Sequence, residues 1–171
     1  MKRTMCACAV AVALFGLVVT AQQKALKTEM KDLQGQSIGT ATLSPAEGGG
    51  VSIALDLKNL TPGVHAFHIH QVAKCEPPFA TAGPHFNPES KKHGLENPDG
   101  HHAGDMSNVT VAADGTVKVT VVNRSVTLGE GANSVFANGG TSFVIHAKAD
   151  DMKTDPAGNA GDRIACGTIS K

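Results

Sequence analysis

From Ser37 to Ile169 the chain is written largely in short runs in which apolar and polar residues alternate. These runs include "SIGTATLSP", "GVSIALDL", "VHAFHIH", "NVTVAADGTVKVTVV", "SFVIHA" and "RIACGTI". They are rich in Val, Ile, Thr and Ala, and Gly, Pro, Asn and Asp stand between them, as expected of strands separated by turns. A period of two sends successive side chains to opposite faces of a strand. The Asp114-Gly115 pair within "AADGT" has the chemistry of a tight hairpin turn. No segment beyond the N-terminal stretch sustains a helical period. The pattern predicts an all-β sandwich or barrel.

Two segments interrupt it. Residues 72–107 carry little strand signal but hold five of the eight prolines, Cys75 and four histidines. A loop that long in a small domain is functional or disordered, and this composition argues for function. A shorter loop, residues 147–162, is rich in Asp, Gly and Asn.

The N-terminus reads differently. "MKR" is positively charged, Met5 to Val19 is apolar, and Val19-Thr20-Ala21 offers small residues before a cut. Residues 1–21 are expected to be a secretory signal peptide. The apolar run is shorter than a membrane span requires. A domain of residues 22–171 follows, exported to the periplasm or the extracellular space and free of the membrane after cleavage. Without Lys2 and Arg3 its formal charge is −2, and no basic tract suggests nucleic acid. Only Cys75 and Cys166 remain after cleavage, and two cysteines in an oxidising compartment favour one disulfide.

All eight histidines lie between residues 65 and 146. In "VHAFHIH", parity puts His65 on the face of Phe67 and Ile69, as a buried structural histidine. His68 and His70 stand on the opposite face, about 7 Å apart along the strand. His102 and Asp105 are three positions apart, close enough to give one ion a nitrogen and an oxygen. His85, His93, His102 and Asp105 can close a four-coordinate site. His68, His70 and His146, all from strands, can form another. Imidazole suits zinc and copper, whereas magnesium and calcium want oxygen ligands.

The stretches "GVHAFHIHQ", "AGPHFNPESKKHG", "HHAGDMSN", "VIHAKADD" and "GNAGDRIACGTI" together resemble the exported, bacterial-like copper/zinc superoxide dismutases. They stand in family order and span about 100 residues to the C-terminus. The resemblance implies an eight-stranded antiparallel Greek-key barrel with one long metal-binding loop and a shorter loop near the active site. It implies copper at His68, His70, His85 and His146, and zinc at His85, His93, His102 and Asp105, with His85 shared. Asp150 would link a copper-ligand histidine to a zinc-ligand histidine. Cys75 and Cys166 would be the family disulfide. Arg163 would receive superoxide beside the copper, and His85 would carry a proton. Family members of this exported kind are monomers or homodimers. His101 falls outside the family spacing, and Asp151 is expected to be solvated.

This chain keeps every copper ligand but departs from the family elsewhere. "EPPFA" lengthens the spacer between Cys75 and His85. Pro156 and Ala157 stand where the animal enzymes carry a lysine and a threonine that guide the substrate, leaving Lys153 as a substitute. An exported metal buffer would share the ligand set, but a pure cation site would not want Arg163 nearby. A zinc hydrolase would need an open zinc position, and the zinc set looks closed.

Overall fold

The computed structural model describes residues 25–171. The expected signal peptide lies outside the described residues. Nine strands follow in order: β1 (Leu26–Asp32), β2 (Ser37–Pro45), β3 (Val51–Leu57), β4 (Gly63–His65), β5 (Phe67–His70), β6 (Val109–Val111), β7 (Val117–Asn123), β8 (Thr141–His146) and β9 (Arg163–Ile169). Seven form one sheet in the order β5-β8-β9-β1-β2-β3-β7, and β4 pairs with β6 in a second. All strand pairs are antiparallel. The all-β expectation holds. The run read as one strand, "VHAFHIH", divides at Ala66 into β4 and β5, so eight strands become nine segments.

That division ties the two sheets together. β4 continues directly into β5, at one edge of the large sheet. β6 turns into β7, at the other edge, through Asp114-Gly115, where Ala112 N–H donates to Thr116 O at 2.8 Å. The curled sheet is thus held at both edges, and exposed edges are where antiparallel sheets are vulnerable to mispairing.

The core follows the alternation. On β3, Val51, Ile53, Leu55 and Leu57 are buried while the residues between them are not. Phe67, Ile69, Phe143, Ile145 and Ile169 fill the same cluster from the other edge. β1 shows why its sequence did not announce it. In "LKTEMKD" the buried positions are Thr28 and Met30, so its inner face carries little apolar signal.

β5 and β8 are buried on both faces. Their outer face lies beneath the long loop. Phe79, from the lengthened spacer, packs with Ala82 on Val144 and Cys166 in a second apolar cluster. The Cys75–Cys166 disulfide fastens this loop to β9 across 91 residues. In the chain-entropy view such a closure contributes about 4.6 kcal/mol at most.

Candidate metal centre

The long loop docks along the free edge of β5. Phe86 N–H donates to Ile69 O at 2.8 Å, and Ile69 N–H donates to Gly104 O at 2.9 Å. His85 forms an isolated antiparallel bridge with His70. The approach is close enough to demand glycine at position 104, where a Cβ would stand 2.2 Å from Ile69 O. β8 lies on the other side of β5, and His146 N–H donates to Ala66 O at 3.0 Å. Strand pairing and loop docking therefore bring His68, His70, His85 and His146 together, while the rest of the loop adds His93, His102 and Asp105.

All seven side chains are buried. Their donor atoms converge in two sets joined at His85. In one, Asp105 Oδ1 stands 2.9 Å from His85 Nδ1, 3.1 Å from His93 Nδ1 and 3.4 Å from His102 Nδ1. His85 Nδ1 and His102 Nδ1 are 3.3 Å apart. Donors at zinc–nitrogen distances around a tetrahedral ion would stand about 3.3 Å apart. In the other set, His70 Nε2 and His146 Nε2 are 3.4 Å apart. Donor atoms of His68, His70, His85 and His146 all lie within 4.8 Å of one another.

Hydrogen bonding separates an inner from an outer nitrogen on most of these rings. Asp150 accepts from His68 Nε2 at 2.7 Å and from His93 Nε2 at 3.0 Å. Gly83 O accepts from His70 Nδ1 at 2.8 Å, and Gly161 O from His146 Nδ1 at 3.2 Å. A proton held on the outer nitrogen leaves the inner lone pair free for a metal. Among the described residues, the buried side-chain polar atoms without a hydrogen-bond partner are His68 Nδ1, His85 Nε2, His93 Nδ1 and Ser142 Oγ. Three of these are inner imidazole nitrogens of this cluster. Buried polar atoms normally have partners, and two borderline-soft cations would satisfy these donors. The residues fit copper and zinc.

The electrostatics agree. Burial, with the neighbouring histidines, pushes His85 down to about 4 and His146 down to about 3. Burial also lowers His70 well below its ordinary value. Burial pulls His93 the same way, but the carboxylates of Asp105 and Asp150 beside its two ring nitrogens prevail and raise it to about 9. Burial would raise Asp105, yet His102, His85, His93 and the Gly94 N–H hold it well below the usual carboxylate range.

These shifts fix a pH dependence for the protein after metal is stripped. Between about pH 4 and 6.5 the unfolded chain binds protons at positions 85 and 146 that the folded chain refuses, so stability falls with falling pH. The slope is at most roughly 2.7 kcal/mol per pH unit for the two groups together. His93 acts oppositely, contributing fully below 6.5 and losing its contribution as pH rises through about 9. Thermal melts of chelated protein are expected to be most stable near pH 6.5. A melting temperature rising steadily from pH 6.5 to 9 would contradict the assignment.

A family model for copper/zinc superoxide dismutase (SODC) matches residues 37–169. The chain belongs to the copper/zinc superoxide dismutase family. It is 50% identical over 152 residues to superoxide dismutase (Cu-Zn) 1 of Aquifex aeolicus (strain VF5), covering 87% of this chain and 89% of that protein. It is 38% identical over 144 residues to the superoxide dismutase-like protein YojM of Bacillus subtilis (strain 168), covering 82% and 74%. Among solved structures, a SOD-like protein from Bacillus subtilis superposes with a TM-score of 0.81 at 36% identity, covering 84% of this chain and 97% of that one. The Cu/Zn superoxide dismutase from Brucella abortus gives 0.69 at 29% identity, covering 86% and 100%. This chain is therefore an oxidoreductase that dismutates superoxide and takes copper and zinc as its metals.

Other sequence expectations find their places. His65 is buried, with Nδ1 2.7 Å from His146 O and Nε2 2.8 Å from Thr61 O. His101 bonds His102 O through Nδ1 and belongs to neither metal set. Asp151 is exposed, yet it accepts from Lys153 N–H, Thr154 N–H and Asn159 Nδ2 and so shapes the shorter loop. Arg163 is more engaged than a free guiding cation would be: it donates to Phe79 O at 2.6 Å and to Gly83 O at 2.7 Å. Lys153 pairs with Glu96 at 3.0 Å, which offsets the charge it would bring to guidance.

Sequence reasoning did not single out Asn108 or Asn123 as site residues. Asn108 exchanges two hydrogen bonds with the Asp150 backbone, at 2.9 and 2.8 Å. Asn123 Nδ2 donates to Ala103 O at 2.8 Å, pinning the segment that carries His102 and Asp105. The only signal for Asn108 was its place at the end of "HHAGDMSN".

Proposed function

We propose that this dismutase holds copper with His68, His70, His85 and His146 and zinc with His85, His93, His102 and Asp105, and that it defends the space outside the cytoplasm after loss of residues 1–21. The observation that carries the ligand assignment is the set of three buried, unpartnered ring nitrogens within two converging donor sets that share His85. Export is supported by the composition of residues 1–21 and by the Cys75–Cys166 bond, a linkage typical of oxidising compartments.

Dismutation oxidises one superoxide to oxygen and reduces another to peroxide with uptake of two protons. Copper, when bound, supplies a centre that alternates between two oxidation states. The protein's own groups attract the anion, hold the donors and manage one of the protons. Arg163 keeps donors beyond the two that anchor it, and its charge disfavours protonation of His70 and His146, which places a positive field at their edge of the cluster. That field favours a small anion. His85 Nε2 is buried and faces the donors of the copper set, while Asp105 steadies the ring from Nδ1. Buried and without a protein partner, Nε2 is the atom of this ring placed to hold a proton and pass it to a forming peroxide.

The test pairs metal analysis with a dismutation assay. Protein loaded with both metals is expected to dismutate superoxide. His146→Ala removes a donor from one set only, so it is expected to lose copper and activity while keeping zinc. Loss of both metals in equal measure would contradict the assignment of His146 to the copper set.

A further inference from the structure

The outer nitrogens of the metal-site rings can be followed one by one. His68 and His93 turn theirs to Asp150, His70 to Gly83 O, and His146 to Gly161 O. His85 has both nitrogens facing donors. The remaining ring is His102. Its Nδ1 faces inward, 3.4 Å from Asp105 Oδ1, and its Nε2 points outward. The acidic oxygen facing that Nε2 is Asp155 Oδ1, 3.9 Å away.

Asp155 sits in the shorter loop, immediately before Pro156. It is already attached to the site. Its Oδ1 accepts the backbone N–H of His93 at 2.8 Å, and its Oδ2 lies 3.5 Å from Lys92 Nζ. One carboxylate thus fixes the backbone of one zinc-set histidine and faces the outer nitrogen of the next. At 3.9 Å the imidazole and the carboxylate attract without hydrogen bonding. Asp155 is 42% exposed at its side chain, and its negative charge favours a proton on the ring nitrogen it faces.

We infer that Asp155 is a positioning residue for zinc, a second outer carboxylate that holds the Nε2–H tautomer of His102 and so keeps its Nδ1 lone pair on the metal. Asp150 ties the zinc set to the copper set from one side; Asp155 ties the zinc set to the shorter loop from the other. The inference rests on His102 as a zinc ligand. It goes beyond that assignment by naming the group that orients the ring.

Asp155→Asn separates this role from a merely structural one. The amide oxygen still accepts the His93 N–H, but the negative charge facing His102 is gone. Zinc affinity is read by competition against a chelator on the purified protein, with and without copper. The melting temperature of the stripped protein is measured beside it. The variant is expected to bind zinc roughly 10- to 100-fold more weakly, the range for loss of an outer-shell partner. Its copper content and stripped melting temperature are expected to match the parent. Asp155→Glu, which restores the charge, is expected to recover part of the loss. Zinc affinity within about twofold of the parent in Asp155→Asn would overturn the inference, as would weakening fully explained by a lower stripped melting temperature. His102→Ala is the reference. If it releases zinc while Asp155→Asn does not, only this inference fails. If His102→Ala itself keeps parent-like zinc affinity, the ligand assignment beneath it fails.

Discussion

Asp105→Ala is expected to abolish stable zinc binding and to lower the melting temperature of the loaded protein sharply. Oδ1 of this carboxylate faces three ring nitrogens, and Oδ2 accepts the backbone N–H groups of Gly94 and His102 at 2.8 and 3.0 Å. Alanine therefore removes a proposed ligand and strands two buried donors at once. Each stranded donor costs about 1–3 kcal/mol. The loss of zinc adds to this, because binding energy at a site absent from the unfolded chain is folding energy. Metal analysis after dialysis and calorimetry with and without added zinc would measure both effects. The parent should gain stability from zinc and the variant should gain almost none. A variant that binds zinc and melts like the parent would remove Asp105 from the site.

Gly158→Ala comes next in expected size, although this glycine carries no chemistry. Its φ is +61°, and a Cβ there would lie 1.8 Å from Asp150 Oδ1 and 2.7 Å from His93 Nε2. The backbone penalty alone is about 1–2 kcal/mol. The collision matters more, because the atoms displaced are the ones that join His68 to His93. Both metals should bind roughly 10- to 100-fold more weakly, as when an outer-shell partner is lost. Gly35→Ala is the control. Gly35 has a φ of +76° with nothing within 4 Å of the added carbon, so it bears the backbone cost without the clash. Parent-like metal affinity in Gly158→Ala would show that Asp150 can move aside and still orient both rings.

These two residues also mark what was legible in the sequence. Asp105 stood out because a carboxylate three positions from a histidine is recognisable chemistry. Gly158 stood out only as part of a family stretch, since a glycine does not reveal what its missing Cβ would strike. The same division runs through the fold. β3 announced itself by alternation, whereas β1 did not, because Thr28 and Met30 are its buried residues. The split at Ala66 was hidden because β4 and β5 continue one apolar run. In the site, the histidines were visible as residue types. Two of their orienting partners, Gly83 O and Gly161 O, are backbone carbonyls, which every residue carries and no sequence singles out. The engagement of Arg163 was obscured for the same reason: Phe79 O and Gly83 O come from the lengthened spacer and the turn after it.

The sharing of His85 between two different ions is the central claim, and anomalous diffraction tests it most directly. Data would be collected at the copper and zinc absorption edges from crystals of protein loaded with both metals. The expected result is one copper among His68 Nδ1, His70 Nε2, His85 Nε2 and His146 Nε2, and one zinc among the Nδ1 atoms of His85, His93 and His102 with Asp105 Oδ1. A single ion, or two ions of which only one contacts His85 in every oxidation state, would contradict it.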